Sequence, residues 1–379
     1  MPYPPHKSDK KSHRPPSNSP APAKVKARRP SQSVDLEGEI APGLAGFLSD
    51  ELAPFGERIS RLQLDAPDIF SMRYSGDLRE LLALRMVAAL YIRQAYAIPR
   101  PSALLAPEHL RVLLAQIDRI VKLHPPETFR TFRISAAGDE SPTFLRIRQA
   151  IGSQTRLRYS SDDADLLIRV RPVPTQDGWE TLIRLSPRPL VTRPWRVFNY
   201  LGALNANIAA AMIEMCYPLP RDRFLNVMSG SGTLLIERLR RCSARLAIGC
   251  DLDLVALKGS RQNVAAARLS TAVHLMRADV TQSPFAAGSF DVICGDLPWG
   301  QMVGSHEQNA RLYPRLMREA ARIAAPGAKL ALLTHDMRLF EDGLERSADW
   351  WTLKDALQVT QGGLHPRIYL FQRSPAAFV

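Results

Sequence analysis

The chain has 379 residues, enough for two or three domains at the usual size of about 100 to 200 residues each. With 45% apolar and 23% charged residues it can bury an ordinary core; no run of about 20 apolar residues suggests a membrane span, and no apolar signal segment follows the N-terminal Pro, Lys and Ser residues. Cys216, Cys242, Cys250 and Cys294 have neither CxxC spacing nor histidines at ligand spacing, so no metal site and no disulfide framework is expected, and a reducing, cytoplasmic setting fits. The formal charge of +13 points to a polyanionic partner, although about half of it lies in the first 34 residues, where eight Lys and Arg face Asp9 alone.

Residues 1–37 are dominated by Pro, Ser, Lys and Arg and hold too little apolar surface to offset the entropy of ordering, so a disordered basic tail is expected, either an RNA-contacting arm or a plain solvated extension. From 38 the texture is globular. Gly43 to Leu52 reads as an amphipathic helix, Ile59 to Leu64 and Ile69 to Tyr74 as strands, and Asp77 as the N-cap of a helix whose apolar positions Leu78, Leu81, Leu82, Val87 and Leu90 approximate helical spacing. After Pro99 and Pro101 a helix runs from about Pro107 to Lys122, and Pro125-Pro126 breaks the chain. Thr131 to Ala136, Asp165 to Val170 and Trp179 to Leu185 read as strands, with a helix over Pro142 to Gly152. Two small α/β modules, 38–122 and 123–190, are therefore expected.

Regular strand and helix alternation begins near 191. Phe224 to Met228, Arg245 to Cys250, Val273 to Met276, Phe290 to Cys294 and Lys329 to Leu333 are strand candidates separated by helical stretches, which implies a parallel sheet. Trp351 to Val359 and Arg367 to Gln372, joined through Gly362-Gly363, should pair antiparallel at its edge.

A ligand site is legible in that last region. The first strand runs into Ser229-Gly230-Ser231-Gly232-Thr233 and then a helix, so backbone can approach a ligand closely. Asp251 follows the next strand, 21 residues beyond Gly230, where a carboxylate can accept from ribose hydroxyls, with Leu252 beside it; Asp279-Val280 follows the third, where a carboxylate and an NH can meet an adenine edge. Either aspartate could instead cap the helix after it. The third glycine of a dinucleotide fingerprint is missing, since position 235 is Leu, so a nucleoside cofactor without a pyrophosphate, S-adenosylmethionine, is expected rather than NAD.

The fourth strand ends in Asp296-Leu297-Pro298-Trp299. This resembles the (D/N/S)-P-P-(Y/F/W) motif of amino-methyltransferases. The exocyclic amine of a base is weakly nucleophilic because its lone pair is delocalised, so a site must orient it. By that analogy, Asp296 and the Leu297 carbonyl accept the two amine hydrogens, Pro298 stiffens the turn, and Trp299 stacks on the base, a contact worth roughly 1 to 3 kcal/mol. Asp296 also closes the cofactor side.

With Met228 to Glu237, which is similar to D-P-M-C-G-S-G-T-x-L-I-E except for Asn226, Val227 and Ser229, and with Asp163 to Val170 and Thr181 to Ser186, the chain resembles the THUMP-containing RNA guanine-N2 methyltransferases from residue 38 onward. The resemblance implies a ferredoxin-like module (38–122), a THUMP RNA-binding module (123–190) and a Rossmann-like methyltransferase domain (191–379) with a seven-stranded, mostly parallel sheet whose last strand is antiparallel. It implies a monomer acting on tRNA with no metal. Leu297 in place of the first proline is similar to the D-L-P-F subgroup and favours guanine N2. Arg146, Arg148, Arg156, Arg158 and Arg169 are the implied phosphate contacts, and Arg193 and Arg196 either grip RNA or close an interdomain contact. A ribosomal RNA substrate and a non-catalytic RNA-binding protein stay open as alternatives; a DNA substrate is disfavoured by the upstream modules.

Overall fold

Two sheets organise the chain, which the computed structural model describes over residues 33–174, 176–298 and 305–374. The first holds eight strands, in chain order β1 (Val34–Ile40), β2 (Ile59–Ala66), β3 (Ile69–Tyr74), β4 (Val87–Tyr96), β5 (Thr131–Ser135), β6 (Arg158–Tyr159), β7 (Leu166–Pro172) and β8 (Trp179–Arg184), arranged β2-β3-β1-β4-β8-β7-β5-β6. Helices α1 (Ala45–Leu52), α2 (Leu78–Leu81), α3 (Pro107–Val121) and α4 (Pro142–Gln154) accompany it. β4 pairs antiparallel with β8, Gln94 opposite Thr181, so the segments 38–122 and 123–190 contribute to one continuous sheet.

Two local expectations are corrected. The first strand opens at Val34, inside the span 1–37 assigned to the tail; Val34, Leu36 and Ile40 point to the core, and the Pro and Ser residues just upstream obscure this short alternation. Residues 1–32 lie outside the described residues. Asp77 does cap a helix, accepting from Arg79 N at 3.0 Å, but α2 ends at Leu81 and the chain is extended again from Val87. Strand β4 is buried on both faces, Leu90 and Ile92 in the main core and Ala89 and Tyr91 in a small second cluster, so its apolar residues run without the alternation that marks a strand with one wet face.

The second sheet follows α5 (Ala206–Met215) and contains β9 (Arg223–Val227), β10 (Leu246–Asp251), β11 (His274–Arg277), β12 (Phe290–Asp296), β13 (Ala324–Thr334), β14 (Trp351–Gln358) and β15 (Arg367–Arg373). Between them run α6 (Thr233–Arg241), α7 (Leu254–Ala266), α8 (His306–Ile323) and α9 (Met337–Asp342). The order is β11-β10-β9-β12-β13-β15-β14, parallel except that β15 runs antiparallel to both β13 and β14. This is the expected seven-stranded α/β sheet. From β9 the chain winds outward through β10 and β11, then returns to β12 on the other side, so the strand order reverses between β9 and β12. In open α/β sheets a crevice forms at such a point, outside the carboxyl ends of the strands.

The two halves are locked together at buried groups. Glu237 on α6 has no exposed surface and accepts from Arg85 Nε at 2.9 Å, just before β4, and from Arg193 Nε at 3.0 Å. Gly43, at φ +97°, lies so close to the end of β14 that a Cβ there would fall 2.2 Å from the Gln358 carbonyl oxygen.

Candidate active site

The turn after β9 is shaped before it meets any ligand. Met228 is held at φ +51°, Gly230 at +52° and Gly232 at +80°, where it caps α6. For Met228 this left-handed conformation costs of order 1 to 2 kcal/mol, which the surrounding hydrogen bonds must offset. Ser229 N donates to Cys250 O at 2.9 Å and Gly232 N to Ser229 O at 2.8 Å, which ties the turn to β10 and to itself. A Cβ on Gly232 would meet Ser260 Oγ at 2.4 Å, whereas one on Gly230 would meet nothing within 4 Å, so Gly230 faces open space. Leu235, at the position of the missing third glycine, is fully buried, and its Cδ1 would lie 2.5 Å from a Cβ on Gly249. The strand beneath must therefore carry a glycine.

Asp251 does not cap α7. Its Oδ2 accepts from Gly230 N at 2.8 Å and its Oδ1 from Asp253 N at 2.9 Å, while Asp253 is the cap, accepting from Val255 N at 2.8 Å. The Tyr200 hydroxyl donates to the other Asp253 oxygen at 2.6 Å; this bond holds the Asp253 carboxyl below its ordinary range and pushes the Tyr200 phenol up to about 12.

A cleft opens at the reversal point. Ser229, Gly230, Thr233, Asp251, Asp296, Leu297 and Pro298 line it, as the sequence led us to expect. Asn226, the motif departure already tied to the glycine turn, lines it as well, as do Met228, the segment Tyr200 to Leu204, and Gln361 with Leu364 from the β14–β15 loop, which were not anticipated as site residues. The signal for the last pair was the Gly362-Gly363 loop, whose glycines at φ +58° and +80° allow the hairpin to fold back. Asn226 is 1% exposed and donates through Nδ2 to Cys294 O at 3.2 Å and Val227 O at 3.1 Å, but its Oδ1 has no partner among the described residues, and neither does the buried Ser229 Oγ. Buried acceptors left unmatched at a cleft wall suit a ligand that brings its own donors. S-adenosylmethionine does so with an ammonium and two ribose hydroxyls, so the donor set fits it: Asn226 and Ser229 for amino-acid groups, Asp251 for the ribose.

The turn after β12 is pinned on both sides. Leu297 N donates to Leu333 O at 2.9 Å, and the Pro298 carbonyl accepts from Asn309 Nδ2 at 2.9 Å and Tyr313 OH at 2.8 Å, both on α8. Leu297 is 1% exposed, so its side chain is core and only its backbone can serve the cleft. Burial pushes the Tyr313 phenol up to about 12, which keeps it a donor at neutral pH. Asn309 and Tyr313 also escaped the sequence reading, although their spacing of four places both on one face of α8.

Other expected residues are not brought to the cleft. Leu252 is 55% exposed and off its wall; Asp279 is exposed and caps its own turn through Thr281 N and Oγ1, both at 2.8 Å; Val280 is buried beside it. Gly232 shapes the turn rather than lining it. Trp299 lies outside the described residues. Among the arginines expected to meet RNA, Arg146, Arg156 and Arg158 are exposed. Arg148 is corrected: it is buried over the Tyr159 ring at 4.1 Å and bonded to Glu140 at 3.0 Å. Arg169 pairs with Glu39 and covers Tyr91 at 4.4 Å. Arg193 and Arg196 take the structural alternative, since Arg193 is buried against Glu237 and Arg196 donates to Leu204 O at 2.7 Å and Thr233 Oγ1 at 3.0 Å. In each case the guanidinium finds internal acceptors, as a largely buried charge must, although Nε of Arg148 and of Arg196 has no partner among the described residues. Among the described residues no group of three or more His, Cys, Asp or Glu could hold a metal ion, and no helix is long and apolar enough to cross a membrane.

Comparison with known proteins agrees with this fold. Residues 193–367 match the family model described as UPF0020: RMKL-like, methyltransferase domain. The tRNA (guanine(6)-N(2))-methyltransferase THUMP3 of Bos taurus is 30% identical over 188 residues, 46% of this chain and 37% of that one, so the match spans little more than a third of that relative. The tRNA (guanine(6)-N2)-methyltransferase of Methanocaldococcus jannaschii is 22% identical over 388 residues, 89% of this chain and 99% of that protein. The crystal structure of TrmN from Thermus thermophilus, 24% identical, has the same fold, with a TM-score of 0.66 over 90% of this chain and all of that one.

Proposed function

Given a methyltransferase domain over residues 193–367, we propose that this chain transfers a methyl group from S-adenosylmethionine to the exocyclic N2 of a guanosine in tRNA. The observation that carries the reading is the meeting, in one cleft, of the Gly230 turn and Asp251 with Asp296 and the pinned Leu297 backbone. When bound, the cofactor supplies an electrophilic sulfonium methyl. Asp251 and the two unmatched acceptors hold it at the carboxyl ends of β9 and β10. At the end of β12, Asp296 and the Leu297 carbonyl accept the two amine hydrogens and turn the nitrogen lone pair toward the methyl, with Trp299 as the stacking platform. Alignment of this kind can supply about 7 to 11 kcal/mol of the barrier. Leu297 where most amino-methyltransferases have proline, and the relatives named as tRNA guanine-N2 enzymes, support guanine over adenine.

In this reading the chain is a cytoplasmic monomer. Residues 38–122 form the ferredoxin-like module and 123–190 the THUMP module, with Arg146, Arg156 and Arg158 as their exposed cations toward RNA. Residues 191–379 form the catalytic domain.

Incubation of the purified protein with S-adenosylmethionine and bulk tRNA, followed by nucleoside mass spectrometry and mapping of the modified position, tests the proposal. N2-methylguanosine in tRNA is expected, and Asp296→Ala should lower its rate by 100-fold or more while the protein still binds cofactor. Methylation of ribosomal RNA alone would overturn the tRNA assignment. A folded protein that binds no cofactor would favour the non-catalytic reading instead.

A further inference from the structure

We infer that Asn309 and Tyr313 on α8 are positioning residues that set the rate of transfer by aiming the Leu297 carbonyl; the inference rests on the reading above. The Leu297 carbonyl lies in a peptide unit whose two flanks are both fixed. Upstream, Leu297 N donates to Leu333 O of β13 at 2.9 Å. Downstream, the next carbonyl along, that of Pro298, accepts two hydrogen bonds, from Asn309 Nδ2 at 2.9 Å and Tyr313 OH at 2.8 Å. Between these anchors the proline ring fixes φ of residue 298 near its usual −65°. With N–H held at one end, φ locked in the middle and C=O held at the other, the Leu297 carbonyl has little rotation left.

The direction of the supporting chain is determined by its chemistry. Asp336 N can only donate, and it donates to Thr334 Oγ1 at 3.0 Å. Tyr313 OH stands 3.0 Å from the same Thr334 oxygen, and its single proton is committed to Pro298 O, so Thr334 donates to Tyr313. The line of donation therefore runs from Asp336 N through Thr334 and Tyr313 to Pro298 O, each bond polarising the next. Thr334 is fully buried, as is Asn309, and Tyr313 is 3% exposed, so none of these groups exchanges its partner readily with water. Asn309 Nδ2 also lies 3.4 Å from Asp336 Oδ2, which closes the cluster onto the segment after β13.

Such anchoring acts on rate rather than on binding. Neither Asn309 nor Tyr313 is among the residues that line the cleft, so both act through the turn they hold. What they govern is the angle of an acceptor that must meet one amine hydrogen as the nitrogen turns toward the methyl, and small errors in such angles reduce rate steeply.

The test compares wild type, Tyr313→Phe, Thr334→Val and Asn309→Ala under single-turnover conditions, with kcat and KM for RNA, cofactor affinity by calorimetry and Tm measured for each. Tyr313→Phe keeps the ring edge-to-face with Phe340 at 5.6 Å, so it should fold. The rate constant is expected to fall about 10-fold in Tyr313→Phe, less in Thr334→Val, and 30-fold or more in the double variant Tyr313→Phe with Asn309→Ala, while KM and cofactor affinity stay within about twofold. Rate constants within twofold of wild type in both Tyr313→Phe and the double variant overturn the inference, as does a fall shared equally by cofactor affinity and Tm, the mark of a purely structural role. A wild-type protein that binds cofactor but methylates no RNA overturns the functional reading itself.

Discussion

Asn226 stands where the related motif carries aspartate, which invites the expectation that this chain has lost a useful charge. The hydrogen bonds argue otherwise. Its Nδ2 donates to two backbone carbonyls, Cys294 O and Val227 O, and a carboxylate in its place would face both oxygens with no proton to offer. Asn226→Asp should therefore weaken the protein, by about 1 to 3 kcal/mol for a buried carboxylate that faces two carbonyl oxygens, and should not tighten cofactor binding. Thermal unfolding together with calorimetry would check this; a more stable variant with a lower Kd would refute it. At the same scale Asp251 was legible as a carboxylate after the second strand, and so was Asp296 after the fourth. That Asp253 rather than Asp251 caps α7 was not, because both aspartates stand at cap spacing and only the turn from β9 decides between them.

Strands β9 and β12 frame the cleft, and their outer ends are tied by an ion pair. Arg223 donates to Asp291 from Nε and Nη2 at 2.9 and 2.8 Å, and Arg223 N adds a third bond at 2.9 Å. The Arg223 side chain, foremost, holds the Asp291 carboxyl below its ordinary 3.8. A depressed acid pKa contributes stability that is complete above the unfolded value and is lost as pH falls through the folded one. Asp291→Asn should thus cost about 0.5 to 1 kcal/mol near pH 7, a modest amount because the pair is about a third exposed, and the gap between variant and wild type should narrow as pH falls below the ordinary 3.8. Urea unfolding at pH 7, 4.5 and 3 measures it; a gap constant with pH would rule this pair out as the cause. Most strands of this sheet could be read from their apolar runs, since each is short and bounded by polar turns. β4, in the first sheet, could not, because a strand buried on both faces has no alternation to read.

Across the whole molecule, the N-terminal sheet and the methyltransferase domain meet at Glu237. It sits on the helix that begins at the Gly232 cap, so the contact that joins the domains also holds the glycine turn. Glu237→Ala would leave Arg85 and Arg193 without their shared carboxylate in a buried site, a loss of about 3 to 5 kcal/mol. Unfolding should then separate into two transitions, visible by calorimetry as a lower first Tm; one unchanged cooperative transition would count against the coupling. The amino-acid sequence by itself determined the second sheet, the glycine turn, the aspartates after its strands and the Asp296 turn, because these depend on local periodicity and on groups close together in the chain. Tertiary structure alone decided that the two N-terminal segments share one sheet, that Tyr200 and Gln361 reach the cleft, that Asn309 and Tyr313 hold the turn after β12, and that Arg148, Arg193 and Arg196 are internal. Which surface a charged side chain finds, and which carbonyl it bonds, depends on partners from eight to more than a hundred residues away, and no local pattern encodes which of them it meets.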